Sequence, residues 1–309
     1  MNLTDKIFHD DEAARLHLEA QRWPDGAYCP HCGECEKVTE LQGKSTKPGT
    51  YICKACRTKF TVTVGTVFEG SHVGLAKWLL AFRLMASSKK GVSAHQLHRS
   101  LDVTYKTAWF MAHRIREAMR EESPAPIGGS GKVVEVDETY MGGKEKNKHK
   151  NKRGPFNPTG GKEAVVTLVE RGGKARSHHV ANVNSKVLRS IIVKHASRKS
   201  HLMTDGARMY PKIGEEFASF SAVDHSAGEY VRGGFHHSNT VENFFSILKR
   251  GVYGTYHHVS EAHLSRYLSE FDFRYNSRLN TDAERADAML KATTGKRLTY
   301  RRPGEGPNA

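Results

Sequence analysis

Apolar residues recur at helical spacing in residues 238–254, a stretch that also carries a carboxylate and an ammonium group. Four large side chains follow the i, i+3, i+4, i+7 pattern of one buried helix face: Val241, Phe244, Phe245 and Leu248. Glu242 and Lys249 fall on a different face, and because seven residues make nearly two turns, their side chains lie one above the other. The pattern predicts an amphipathic helix whose polar side presents both groups together.

Between residues 132 and 223 the pattern is mainly that of strands. Three segments of strand length are separated by turn residues, with Gly172-Gly173 between the last two: VVEV, KEAVVTLVE and RSHHVANV. A helix, SKVLRSIIVKHA, and two more strands, HLMTD and FASFSAV, precede the Glu242 helix. Three strands in a hairpin arrangement, then helix, strand, helical or loop segment, strand and helix, is the element order of a ribonuclease-H-like domain. We therefore predict an α/β fold for residues 132–294.

Residues 67–122 carry helical periodicity and one helix break. Ser93 opens a helix, and after a break near Asp102 another begins at Thr104, which is a helix-turn-helix pattern. In that motif the first residues of the second helix face the DNA major groove. These residues are Tyr105, Lys106 and Thr107, followed along the helix by Trp109, His113 and Arg116. The alternative is a helical pair that packs without touching DNA.

Proline and glycine residues mark the boundaries between these regions. SPAPIGGSG, residues 123–131, holds two prolines and three glycines, and we predict a linker there. The basic, proline-bearing segment from residue 295 onward is predicted to be a disordered tail. The predicted divisions are a zinc ribbon with an N-terminal helix (residues 1–66), a helical DNA-binding region (67–122), a linker (123–131), a catalytic domain (132–294) and a tail (295–309).

All five cysteines lie within residues 29–56, so a disulfide framework for the whole chain is excluded. Two CxxC pairs with 20 residues between them can offer four thiolates tetrahedrally to one Zn²⁺: Cys29, Cys32, Cys53 and Cys56. A domain this small needs a metal because it cannot bury enough apolar surface to fold unaided. Cys35 also forms a CxxC pair with Cys32, but Gly33 allows a tight turn that favours Cys29 as the partner. We predict one structural zinc.

The chain is strongly basic, with a formal net charge of +15 at pH 7 and an isoelectric point near 9.6. Such a protein usually binds a polyanion, and we expect double-stranded DNA; the alternative is a generically basic protein. Four cations stand in one run between the first two predicted strands: Lys148, Lys150, Lys152 and Arg153. This run is predicted to be a solvated loop that can also hold a DNA backbone.

The sequence favours a cytosolic location and no membrane partner. No apolar run approaches the roughly 18 residues that span a bilayer. The N-terminal stretch is acidic and lacks the apolar core of a signal peptide. We therefore expect a cytosolic protein, and the expected DNA partner places it at the nucleoid.

Three carboxylates far apart in the sequence are predicted to meet at one edge of the ribonuclease-H-like sheet. Asp137 is predicted to end the first strand and Asp205 the fourth, and Glu242 lies on the helix after the fifth. Carboxylates without histidine or cysteine partners suit Mg²⁺ or Mn²⁺. Two such ions can activate a water or a 3′-hydroxyl and stabilise the leaving oxygen of a phosphodiester. Either Asp137 or Glu138 could be the inward residue; strand alternation puts Glu138 on the apolar face and favours Asp137.

Longer stretches of the chain resemble one family. VVEVDETYMGGK, LMTDGARMY and HHSNTVENFFSILKRGVYGTYHHVSEAHLSRYLSEFDFRYNSR are similar to the catalytic domain of DDE transposases of the ISXO-type insertion-sequence group. CPHCG and CKAC are similar to the amino-terminal zinc ribbon of that group. The spacing agrees, since Glu242 follows Asp205 by 37 residues and Lys249 follows Glu242 by seven.

The resemblance implies a site and a reaction. Asp137, Asp205 and Glu242 would hold catalytic Mg²⁺ or Mn²⁺, and Lys249 would point at the substrate, with Arg250 beside it as a further predicted DNA contact. Some members of the group carry asparagine or histidine where others have the final glutamate. Asn239 and His237 are therefore alternatives at the site, although the spacing to Lys249 favours Glu242.

The expected function is that of a DNA transposase. Such an enzyme binds the terminal inverted repeats of an insertion sequence, cleaves a strand and joins the 3′-hydroxyl to target DNA. Pairing two element ends implies at least a homodimer in the active complex. Two alternatives use the same residues: a metal-dependent nuclease or resolvase that does not join strands, and an inactive transposase-derived regulator that binds DNA only.

Overall fold

The computed structural model of the 309-residue chain describes residues 2–143, 162–223 and 237–299. Its contacts form two compact units: a helical unit of Met1–Met119 and Asn280–Ala309, and a sheet unit of Arg120–Leu279. The helical unit contains all five cysteines, and the sheet unit contains the three predicted catalytic carboxylates. In the described segments, no helix has the length and apolar character needed to cross a membrane.

The elements are numbered in chain order. The described α-helices are α1 (Asp11–Arg22), α2 (Leu75–Ser87), α3 (Ala94–Leu101), α4 (Tyr105–Met119), α5 (Ser185–His195), α6 (Pro211–Gly214), α7 (Asn239–Gly251), α8 (Glu261–Asn276) and α9 (Asp282–Lys291). The described strands are β1 (Val38–Glu40), β2 (Tyr51–Cys53), β3 (Lys59–Phe60), β4 (Val133–Met141), β5 (Glu163–Glu170), β6 (Ala175–Val180), β7 (His201–Asp205) and β8 (Ser219–Val223). A π-helical turn, Val252–Tyr256, continues α7.

The predicted helix-turn-helix corresponds to α3, a tight turn and α4. Ser93 caps α3 by accepting the backbone N–H of Gln96 at 3.1 Å. Asp102 then adopts φ +48°, a left-handed conformation that aspartate tolerates better than most residues and that ends the helix. Thr104 accepts the N–H of Thr107 at 3.2 Å and so begins α4. Polar capping residues therefore form the turn that the sequence indicated.

The chain returns to the helical unit after α8. Helix α9 packs on α2 and buries Ala286, Met289 and Leu290. Thr281 and Glu284 form a reciprocal capping box that starts this helix. The sequence-based boundary at residue 294 kept this segment with the catalytic domain, whereas the contacts group it with α1, α2 and α4. Periodicity indicates which face of a helix is buried, but it does not indicate the surface that covers it.

The residues just beyond α9 are also packed. The Gly295 N–H donates to the Gly65 carbonyl at 2.9 Å, and the Lys296 ammonium, which is buried, donates to the Ala118 carbonyl at 3.0 Å. The prediction that a disordered tail begins at residue 295 is therefore wrong for these positions. Lys296 is one of the basic residues that suggested a tail, and its ammonium group is bound by a carbonyl oxygen. Residues 300–309 of that predicted tail lie outside the described residues.

The predicted linker is in part a structural element of the sheet unit. Ile127 is 4% exposed, and its backbone exchanges hydrogen bonds with His195 and Ser197. The next two backbone N–H groups donate to the side chains of Glu170 and Ser200. The glycines and prolines of residues 123–131 predict a linker, but the buried isoleucine among them anchors the segment to the core.

Five strands form the mixed sheet of the second unit, in the order β6-β5-β4-β7-β8. The neighbours β4, β5 and β6 are antiparallel, whereas β7 and β8 run parallel to β4. Helix α5 lies in the chain between β6, which pairs antiparallel with β5, and β7, which pairs parallel with β4. This element order is the one predicted, and the α/β, ribonuclease-H-like fold class is confirmed.

Helices cover both faces of the sheet. On one face, α5 and α6 pack on side chains of β4, β5 and β7, with Leu188 and Ile192 of α5 fully buried. On the other face, α7 and α8 pack on the opposite side chains of β4 to β6, such as Val165 and Val169. Alternation along β4 therefore sends successive residues to two different helical layers.

A half-buried histidine on β6 gives the sheet unit a testable acid sensitivity. The His178 ring stacks on His195 with centroids 4.3 Å apart, and among the described residues its Nε2 has no hydrogen-bond partner. Burial, together with His195 and Arg176, lowers the pKa of His178 to about 4. The unfolded chain takes up this proton near its ordinary pKa of about 6.5, so stability is lost as the pH falls from about 6.5 to about 4.

We expect His178→Phe to remove this contribution. Between pH 6.5 and 4, the free energy of unfolding of the wild type should fall more steeply than that of the variant, by up to about 3 kcal/mol in total. Urea unfolding at a series of pH values measures the difference. His258→Phe, at an exposed position in the same unit, should follow the wild-type curve. Parallel curves for the wild type and His178→Phe would contradict this prediction.

Candidate active site

Asp137 and Asp205 lie on neighbouring parallel strands where the pairing of those strands ends. The last residue pair in the ladder between β4 and β7 is Val136 with Thr204, and the two aspartates follow directly. β4 itself continues to Met141, because its antiparallel pairing with β5 persists. The prediction that the strand ends at Asp137 is therefore wrong, although Asp137 does stand where one partner strand stops.

Glu242 lies in the first turn of α7, on its exposed side. The predicted apolar face of this helix is at most 5% exposed at all four positions: Val241, Phe244, Phe245 and Leu248. The buried Ser238 hydroxyl donates to Oε1 of Glu242 at 3.0 Å. Since α7 also contacts β4, the carboxylate is presented from a rigid element toward the strand that carries Asp137.

An open pocket of about 600 Å³ lies between β4 and α7. It is lined by Asp137, Glu138 and Thr139 from the strand and by Glu242, Phe245, Ser246, Lys249 and Arg250 from the helix. Carboxylate oxygens and two cationic side chains thus share one cavity. That combination suits a phosphate ester together with metal cations.

The carboxylate of Asp137 stands among other acidic side chains. Burial raises the pKa of Asp137 to about 7, and the neighbouring carboxylates Asp205, Glu138 and Glu242 add to the effect. The Glu138 N–H donates to Oδ1 of Asp137 at 2.7 Å and only partly offsets this. The described residues give Asp137 no ion-pair partner. An all-oxygen donor set with excess negative charge fits a hard divalent cation.

Glu138 has a partner of its own in the opposite helical layer. Its Oε2 accepts a hydrogen bond from the hydroxyl of Tyr210, a fully buried residue packed with Val134 and Val136. Burial raises the pKa of Glu138 and, with the adjacent Glu138 carboxylate, that of Tyr210. This is the side to which strand alternation assigned Glu138. Asp137 is therefore the residue of this pair on the α7 side, with Glu242.

The three predicted catalytic carboxylates are less tightly clustered than a single-ion site requires. In the described part of the chain, their oxygens do not all lie within 4.8 Å of one another. Two ions about 3.5–4 Å apart relax that requirement, because each terminal carboxylate then reaches only one of them. Asp137 adjoins Asp205 at the end of the β4–β7 ladder and shares the pocket with Glu242.

The predicted zinc ligands form a compact cluster. The sulfur atoms of Cys29, Cys32, Cys53 and Cys56 lie within 4.8 Å of one another, with Cys29–Cys56 and Cys32–Cys53 both at 3.6 Å. Tetrahedral Zn–S bonds of about 2.3 Å give sulfur separations of about 3.8 Å, so the donor set fits one Zn²⁺. Gly33 turns with φ +80°, as predicted for the knuckle. Cys35 is exposed and lies outside the group.

Comparison with known proteins bears on both the sheet and the cysteine cluster. Residues 129–276 match a family model described as the ISXO2-like transposase domain, and residues 9–59 match the transposase zinc-ribbon domain. A protein of Halobacterium salinarum, named as an uncharacterized protein in transposable element ISH50, is 32% identical over 282 residues; these cover 87% of this chain and 92% of that protein. The chain belongs to the ISXO2-like transposase family.

The resemblance inferred from the sequence motifs is thereby confirmed for both the transposase domain and the zinc ribbon. Among solved structures, this transposase matches a chain in the crystal structure of a pre-cleavage Mos1 transpososome. The match covers 71% of this transposase and 79% of that chain, with 11% sequence identity and a TM-score of 0.28. A similarity that low carries no structural argument. The family membership therefore rests on the sequence comparisons.

The predicted DNA-reading residues of the transposase differ in accessibility. At the start of α4, Tyr105 is 45% exposed and stacks on His95 with centroids 4.3 Å apart, and Lys106 is exposed. Thr107 is half-buried and participates in the helix cap. Farther along, His113 and Arg116 are at most 2% exposed, so the prediction that these two side chains follow the groove is wrong. Both side chains are buried.

The remaining predicted DNA contacts lie in the sheet unit. Lys249 and Arg250 line the pocket beside Glu242, and Arg250 donates to the Ser246 hydroxyl at 2.8 Å, which holds its guanidinium along the helix. The basic run with Lys148, Lys150, Lys152 and Arg153 lies outside the described residues. The alternatives Asn239 and His237 stand at the start of α7, where the His237 carbonyl accepts from Arg171.

Two groupings were missed by the sequence analysis. Glu163, His179 and Glu261 bring their ligand atoms within 4.8 Å, and His179 pairs with Glu163 at 2.8 Å. Glu135 is fully buried and binds Arg171 and the start of α7. A glutamate inside the apolar run VVEV was the available signal for the second grouping. No periodicity links the members of the first.

Proposed function

We propose that this transposase binds the ends of its insertion sequence, cleaves a strand and joins the resulting 3′-hydroxyl to target DNA. The observation that carries the proposal is the pocket between β4 and α7, where Asp137 and Glu242 line one cavity with Lys249, and Asp205 adjoins Asp137. Family membership supports a polynucleotidyl transferase. Cellular DNA as substrate implies a place in the cytosol, at the nucleoid.

Each side chain has a role in this proposal. Asp137, Asp205 and Glu242 would hold two Mg²⁺ or Mn²⁺ ions, which supply activation of the attacking oxygen and stabilisation of the leaving oxygen. Lys249 and Arg250 contact the phosphate backbone and fix the scissile strand in the pocket. Ser238 orients the Glu242 carboxylate through its hydroxyl.

The helical unit supplies recognition in this proposal. The exposed Tyr105 and Lys106 at the start of α4 read the terminal repeats, as the first residues of a recognition helix do. The zinc ribbon holds one structural Zn²⁺ and supports this binding. Two element ends must be held together for joining, so we propose at least a homodimer as the active assembly.

A strand-joining assay tests the proposed function. The wild type is mixed with Mg²⁺, a plasmid target and a DNA element end that already carries a free 3′-hydroxyl. We expect covalent joining of the end to the plasmid. A parallel reaction uses an intact end, and its cleavage without any joining would favour a nuclease. A site protected in footprinting, without chemistry in Mg²⁺ or Mn²⁺, would favour a DNA-binding regulator.

Lys249→Ala is expected to weaken binding of the element end by roughly tenfold, because one ammonium–phosphate contact is lost. The slope of the logarithm of the binding constant against the logarithm of salt concentration should become less steep by about one. Gel-shift titrations at several salt concentrations measure both quantities. Lys186→Ala, at an exposed position on α5 across the sheet, is the control and should match the wild type. An unchanged salt slope for Lys249→Ala would contradict the assigned contact.

A further inference from the structure

Glu135 connects the strand of Asp137 to the helix of Glu242. It is fully buried on β4, two residues before Asp137 and on the same side of the strand. Its Oε2 accepts the backbone N–H groups of Thr240 at 2.8 Å and Val241 at 3.0 Å, and its Oε1 accepts the Thr240 hydroxyl at 2.8 Å. These are N–H groups that the first turn of α7 cannot satisfy by itself, and a carboxylate is favoured at that end of a helix.

Arg171 balances the buried charge of Glu135. Its Nε donates to Oε1 of Glu135 at 2.5 Å, and its Nη2 donates to the His237 carbonyl at 2.6 Å. The backbone N–H of Arg171 donates to the Val133 carbonyl, which ties the same residue to the start of β4. The pair is therefore charge-balanced and fixed at three points: β4, the end of β5 and the segment leading into α7.

This network determines where α7 begins relative to β4. Thr240 and Val241 are bound by Glu135 and immediately precede Glu242, whose carboxylate is bound by Ser238. Moving or freeing the helix start would change the separation of Asp137 and Glu242. Mg²⁺ requires near-ideal octahedral coordination, so small changes in that separation matter.

We propose that Glu135, together with Arg171, is a positioning residue that holds Asp137 and Glu242 at the separation required for divalent metal binding. This inference rests on the proposed function of the three carboxylates. Glu135 acts through the helix start and does not touch the substrate. Loss of such a supporting contact typically weakens metal binding or activity by roughly 10–100-fold.

The test is direct binding of Mn²⁺ to the full-length protein. Binding is measured from the electron paramagnetic resonance signal of the Mn²⁺ that remains free. The binding lost in Asp137→Asn defines the site. Glu135→Gln keeps the size of the side chain but removes its charge, and we expect it to weaken that binding by about 10–100-fold. Glu270→Gln is the matched control, because Glu270 is also fully buried and paired with Arg274, but on α8. It should lower the melting temperature without changing the affinity for Mn²⁺.

A second variant keeps the proposal testable if Glu135→Gln does not fold. Thr240→Val removes one hydroxyl donor to Glu135 and keeps the backbone N–H, so we expect a smaller but measurable loss of Mn²⁺ affinity. Wild-type affinity in a folded Glu135→Gln, or in Thr240→Val if Glu135→Gln is unfolded, would overturn the positioning role. A wild type whose Mn²⁺ binding does not depend on Asp137 would instead overturn the proposed site itself. The two failures are therefore distinguishable.

Discussion

Asp137→Asn is expected to reduce strand joining by roughly 10³-fold or more while the protein stays folded and binds DNA. An amide oxygen is a weaker ligand than a carboxylate, and the proposed two-ion arrangement loses the acid that both other acids influence. Burial and the adjacent acids disfavour the charged form of Asp137, so removing the charge should not lower the melting temperature in metal-free buffer. Joining is quantified on gels with a pre-nicked element end, and binding by gel shift.

The neighbouring acids make this prediction sharper. Asp205→Asn and Glu242→Gln should behave like Asp137→Asn, whereas Glu138→Gln should retain joining within about tenfold of the wild type, because Tyr210 engages Glu138 on the other helical layer. Glu215→Gln, at an exposed position near the end of α6, controls for loss of an acidic group. Strong joining by Asp137→Asn together with none by Glu138→Gln would reverse the assignment.

Cys53→Ser is expected to abolish zinc binding and to unfold the ribbon. Four thiolates at tetrahedral spacing hold the strands β1 to β3 together, and structural zinc supplies roughly 10–16 kcal/mol of folding free energy in zinc-finger peptides near pH 7. The zinc content measured by mass spectrometry should fall from about one ion per chain to near zero. Proteolysis should then cleave within residues 24–66 faster than in the wild type.

Cys35→Ser provides the matched control. Cys35 is exposed and outside the cluster, and its thiol donates a hydrogen bond to the Gly33 carbonyl at 3.8 Å. The variant should keep one zinc and the wild-type digestion pattern. If Cys35→Ser lost zinc and Cys29→Ser kept it, the choice between Cys29 and Cys35 as the partner of Cys32 would have to be reversed. Chelation of the wild type should reproduce the digestion pattern of Cys53→Ser.

Local regularities explain what the sequence could predict. The face of α7 was readable because four apolar residues repeat with the helical period, and all four are buried. The strands of the sheet were readable because β-branched residues fill them between turn residues. The four zinc ligands were readable because a CxxC pair is a local geometric unit, and Gly33 favoured Cys29 over Cys35 as the partner of Cys32.

Contacts distant in the sequence explain what it could not predict. Nothing local to α9 indicates that it packs on α2, and nothing local to Ile127 indicates that it pairs with the segment after α5. Glu135 interrupts an apolar run, but its partner Arg171 and the start of α7 are far along the chain. The sequence predicts a strand end at Asp137, whereas β4 continues to Met141. That continuation depends on pairing with β5, which periodicity does not reveal.

Asp137, Asp205 and Glu242 are proposed to form one site for divalent metal ions. Anomalous diffraction from crystals of the wild type soaked in Mn²⁺ tests it most directly. We predict manganese peaks bound by these three carboxylates in the pocket between β4 and α7, and their loss in Asp137→Asn crystals. Manganese found only at Glu163, His179 and Glu261, or in the pocket without contact to Asp137, would contradict the account.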